Sequence, residues 1–84
     1  MNSYMSMQEK RAFIDKDFKE NVLDKIGRLP ANQQEAIAYI SNLRDYADMW
    51  ITRYEHKSQG KYAMLLLDDF IETVTKDFYR RFVK

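Results

Sequence analysis

Eighty-four residues, 45% hydrophobic and 32% charged, have the composition of one ordinary soluble domain with a thin single core. Fourteen basic and thirteen acidic side chains leave a formal charge of +1, which selects neither nucleic acid nor an acidic partner nor an anionic membrane. With no cysteine there is no disulfide framework, no thiol nucleophile and no zinc-finger spacing.

Residues 1–5 read as a flexible N-terminal tail without the basic-then-apolar pattern of a signal peptide. Ser6 and Glu9 form a capping-box pattern and predict helix 1 over residues 6–28, with an apolar stripe at Met7, Ile14, Phe18, Val22, Ile26 and Leu29. Gly27 and Pro30 bracket its end.

Asn32 and Glu35 repeat the capping pattern and open helix 2, expected over 32–58. Its apolar residues at Ala36, Ile40, Leu43, Ala47, Trp50 and Tyr54 follow the helical period, and Ile37, Tyr39, Tyr46 and Ile51 widen the face. So broad an apolar face needs neighbours on it, and the rest of the chain is organised around this helix. Glu55–Gln59 carries no apolar residue, and Gly60 is assigned the left-handed position that closes helix 2.

Helix 3 is expected over 61–83, with its stripe at Ala63, Leu67, Phe70, Ile71, Val74, Phe78 and Phe82. Short connections imply antiparallel neighbours. The fold class is therefore all-α, an antiparallel three-helix bundle forming one domain over 6–84. Phe18, Leu43, Ala47, Trp50, Phe70 and Val74 are its expected core. The longest apolar run, Tyr62 to Leu67, is far short of the roughly 18 residues of a membrane span, so a cytoplasmic protein with no membrane partner is expected.

Two acidic motifs are the best candidates for chemistry. Asp45-x-x-Asp48 on helix 2 and Asp69-x-x-Glu72 on helix 3 resemble the paired carboxylates of all-α nucleoside triphosphate pyrophosphatases of the MazG type. That resemblance implies Mg²⁺-dependent hydrolysis of a nucleotide. On a helical wheel all four carboxylates lie roughly 100–180° from their apolar stripes, the position of a solvated face. His56 is the only histidine and has no second ligand or triad partner in the pattern, so no catalytic residue, metal ligand or cofactor is assigned.

Leu29-Pro30-Ala31-Asn32-Gln33-Gln34-Glu35-Ala36-Ile37 resembles the opening of the DNA-binding region 4 of bacterial sigma factors over nine residues. The glycine-bearing turn and basic recognition helix of that family do not follow here. Lys76, Arg80, Arg81 and Lys84 with Tyr79 make a basic end on helix 3, and Lys10, Arg11, Lys16 and Lys19 add charge on helix 1. A nucleic-acid-binding regulator using that basic end is therefore the alternative function, and the Mg²⁺-dependent hydrolase a further one.

Phe13, Leu23, Met49, Tyr62, Leu65 and Leu66 are apolar but lie off the stripes. One small interior cannot cover them all, so they are assigned to a protein interface. The leading expectation is a small non-enzymatic helical protein acting through protein–protein contact. It would work as a homodimer or as an adaptor, regulator or inhibitor of another protein.

Overall fold

The computed structural model describes residues 6–83 and places them in three helices. Helix α1 runs as α-helix over Met7–Phe18, passes through one π-turn at Lys19–Leu23 and finishes as α-helix at Asp24–Ile26. Helix α2 covers Gln33–Ile51 and tightens into a 3₁₀ turn at Thr52–Tyr54. Helix α3 covers Gly60–Phe78 and ends in a π-turn at Tyr79–Val83. They pack as the antiparallel three-helix bundle that the periodicity predicts, 53 × 20 × 19 Å, with no strand among the described residues. None of these helices is long and apolar enough to cross a membrane. The expected tail, residues 1–5, lies outside the described residues, as does Lys84.

The capping logic accounts for where the helices start. The Ser6 hydroxyl accepts from the Glu9 amide at 3.1 Å, and the Glu9 carboxylate accepts from the Ser6 amide at 2.9 Å. That backbone hydrogen bond from Ser6 holds the Glu9 carboxyl below the usual carboxylate range. At α2 the Asn32 side chain accepts from the Glu35 amide at 2.9 Å. Glu35 closes the motif one residue further out than the capping-box pattern implies, accepting from the Ala31 amide at 2.9 Å.

Two helix ends differ from expectation. Helix α1 stops at Ile26 rather than 28, because Gly27 turns to a φ of 94° that a side chain would strain. Leu29 consequently lies outside the helix and is exposed rather than on the stripe. Helix α2 ends at Tyr54 rather than 58. Turn bonds Lys57 N–H to Tyr54 carbonyl and Gly60 N–H to Lys57 carbonyl fold residues 55–59 back, so α2 and α3 are two helices and not one rod.

Gly60 is the first residue of α3 and not the left-handed residue closing α2. Its role is steric: a Cβ there would sit 2.5 Å from the Tyr54 carbonyl oxygen, so the turn closes only around a glycine.

The core is aromatic at its centre. Phe18 packs edge-on against Trp50 (5.1 Å between centroids) and Phe70 (5.4 Å), joining all three helices. Val22, Leu43 and Ala63 are fully buried along the same seam. Of the expected core, Phe18, Leu43, Ala47 and Trp50 are buried, whereas Phe70 and Val74 are half-buried and pack against it. Met7, first on the α1 stripe, is 55% exposed because it lies at the helix end.

Candidate functional site

Among the described residues, the polar side chain with the most partners is Asp17, on the edge of the α1 stripe. Its Oδ2 accepts from the Trp50 indole N–H at 3.0 Å and from the Tyr54 hydroxyl at 2.5 Å. Its Oδ1 accepts from the Asn21 side-chain amide at 2.6 Å and has the Arg53 guanidinium 3.8 Å away. Asn21 also donates to the Asp17 carbonyl, within the π-turn region where the Asp24 amide reaches back five residues to the Lys19 carbonyl. Burial and this carboxylate together push the Tyr54 phenol well above its ordinary pKa. These bonds tie α1 to α2 and make the cluster a clamp between the two helices. Residue spacing alone did not single out Asp17, since its partners lie 33 and 37 positions away.

The six residues assigned to an interface are distributed over the molecule. Leu23 and Leu66 are half-buried and packed against the core. Tyr62 is half-buried too, its hydroxyl donating to Asp15 Oδ1 at 2.8 Å and its ring lying 5.0 Å from the Arg11 guanidinium. The Asp15 hydrogen bond raises the Tyr62 pKa. Phe13, Met49 and Leu65 are exposed, but not in one place. Phe13 lies beside Tyr54 and the 57–59 turn, Met49 borders a groove between α1 and α2 with Lys25 and Arg53, and Leu65 is on α3.

The carboxylates of the two acidic motifs are all exposed, and Glu72 is taken up by Lys76 at 3.1 Å. No group of three or more metal-ligating side chains converges among the described residues. His56 is exposed in the turn after α2. On the basic end, Arg81 is paired with Asp77 at 3.4 Å, and Arg80 has no ion-pair partner among the described residues.

The apolar surface that does come together lies elsewhere, between the first half of α2 and the last turns of α3. Ala36, Ile37 and Ile40 form one side of a groove of about 320 Å³. Phe78, Tyr79, Phe82 and Val83 form the other, with Gln33 and Thr75 the polar residues in its lining. Ile37 is 64% exposed, Tyr79 60% and Val83 46%, while Ala36 and Phe78 are buried at the contact between the helices.

Its origin is local. Ile37 extends the α2 face about 100° past Ala36, and Tyr79 and Val83 do the same for Phe78 and Phe82 on α3. The apolar faces are thus wider than the contact between the two helices, and the small Ala36 leaves a recess there. Ile37, Phe78 and Phe82 carry this signal in the sequence as part of the broad stripes, but periodicity files them with the core. Searches against protein-family models, curated proteins and solved structures find no match for this chain.

Proposed function

We propose that this chain is a small non-enzymatic helical protein that works by protein–protein contact, and that the α2–α3 groove is its contact surface. The carrying observation is the contiguous apolar lining with Ile37, Tyr79 and Val83 largely in solvent. Isolated exposed apolar residues are ordinary, whereas a rimmed groove of them marks a binding surface. The partner is another protein, or a second copy of this chain. Clamps such as Asp17 and the turn around Gly60 hold the scaffold that presents the groove.

The test is a double variant, Ile37→Ser with Val83→Ser. Both residues are exposed, so thermal stability should move by less than about 1 kcal/mol. Association should be lost, read as molar mass by light scattering over about two decades of dilution and as proteins cross-linked in host extract. If the unaltered chain stays monomeric and cross-links to the same proteins as the double variant, the reading fails.

A further inference from the structure

We infer that the pocket between α1 and α2 beside Trp50 is a binding site for a small organic anion, a carboxylate or phosphate ester carried on a flat apolar body. This goes beyond the contact reading above and does not depend on it.

The pocket encloses about 280 Å³, near the lower end for small-molecule sites. Asn21 and Lys25 line it from α1, and Tyr46, Met49, Trp50 and Arg53 from α2. Each helix thus contributes one cation, and between them lies aromatic and thioether surface. A guanidinium takes two oxygens of a carboxylate or phosphate side by side, and an ammonium adds a point charge. Such a lining matches a ligand with one negative end and one apolar end.

The fold does not use up the two cations. Lys25 has no ion-pair partner among the described residues. Arg53 stands 3.8 Å from Asp17 Oδ1, beyond hydrogen-bonding distance, and its side chain is 59% exposed. The Asp17 carboxylate is itself shared among Asn21, Trp50 and Tyr54. Glu20, Asp24, Asp45 and Asp48, adjacent in sequence to lining residues, are exposed and lie outside the lining, and Asp24 is bonded to Lys19.

The π-turn of α1 is what brings Lys25 here. Lys25 follows Phe18 by seven residues, a spacing that would keep it on the apolar stripe of an unbroken α-helix. The bond from the Asp24 amide to the Lys19 carbonyl takes up one extra residue and sets the following residues back by about 100°. Lys25 falls into line with Asp17 and Asn21 on the edge of α1 that meets α2, while Leu23 packs against the core. Single π-turns inside α-helices recur at functional sites.

The experiment titrates the full, isotope-labelled chain with four probes and follows the backbone amides and the Trp50 indole N–H by NMR. The probes are naphthoate, naphthyl phosphate, the neutral naphthamide and inorganic phosphate. At least one naphthyl anion should saturably move the indole signal and the amides of residues 21–25 and 46–53. It should bind about tenfold or more tighter than naphthamide and than inorganic phosphate. Which head is preferred separates a carboxylate source from a phosphate source. Lys25→Gln should weaken that anion about fivefold or more at unchanged melting temperature, and Lys25→Arg should restore it. Ile37→Ser with Val83→Ser should bind it as the unaltered chain does.

Naphthamide binding as tightly as the anions overturns the inference, as does an affinity that Lys25→Gln leaves unchanged. Shifts strongest at residues 33–40 and 75–83, loss of binding in Ile37→Ser with Val83→Ser, or no saturable shift with either anion also overturn it. The contact reading is tested by molar mass and cross-linking, so each reading can fail while the other stands.

Discussion

Removing the Asp17 carboxylate leaves the indole N–H of Trp50 and the hydroxyl of Tyr54 without their acceptor at the α1–α2 seam. Hydrogen bonds to a charged group contribute about 1.5–3 kcal/mol each, and both are lost together, so Asp17→Ala should cost about 3–5 kcal/mol. Trp50→Phe keeps the bulk and drops one donor, so its cost should be nearer 1–2 kcal/mol; urea midpoints at unchanged m-value distinguish the two. The tyrosines give a pH dependence of defined sign. Burial raises the Tyr39 and Tyr54 pKa values, so both stay protonated in the folded chain while the unfolded chain ionises near pH 10. Their stabilisation is complete below about pH 10 and declines above it, by up to about 1.4 kcal/mol per pH unit per tyrosine. Melting temperature should therefore fall steadily between about pH 9.5 and about pH 11, and less steeply in Tyr54→Phe. Asp17 was not legible as a hub because a charged residue at the margin of a stripe looks like any solvated edge; the donors that define it come from another helix.

At the scale of the elements, periodicity and caps carried most of the structure. Ser6 and Asn32 cap the helices the sequence assigns to them, and the stripes face inward. What the pattern misread was Gly60. A glycine after a polar run has the same local signature whether it closes one helix or opens the next. The approach of the Tyr54 carbonyl decides between them, and that is a contact created by the fold. Gly60→Ala would gain helix propensity at an ordinary helical site, but here it must displace backbone and should cost about 1–3 kcal/mol. Gly27→Ala meets no neighbouring atom and should cost only the backbone strain of φ 94° with ψ −145°, a conformation close to glycine's own, about 1–3 kcal/mol. Thermal melts of the two single variants check both costs.

Across the whole molecule, the bundle class was readable in the sequence, and the open apolar groove between α2 and α3 was not. Phe13, Met49 and Leu65 are off-stripe and exposed as the wheel implies, yet each belongs to a different part of the surface. The groove is built mainly from on-stripe residues and their neighbours, and a wheel cannot show whether the facing helix covers them. The fold itself hangs on one aromatic layer, so Trp50→Ala should cost about 3–5 kcal/mol, enough to abolish cooperative melting in a domain this small. Trp50 is also the only tryptophan, enclosed by Phe18 and Tyr54 and bonded to Asp17, ten residues or about 15 Å along α2 from Ile40. The chain thereby carries its own optical reporter at one end of the bundle. Intrinsic fluorescence should shift to the red when α1 leaves α2, and should stay constant while the far end of the bundle takes up a ligand.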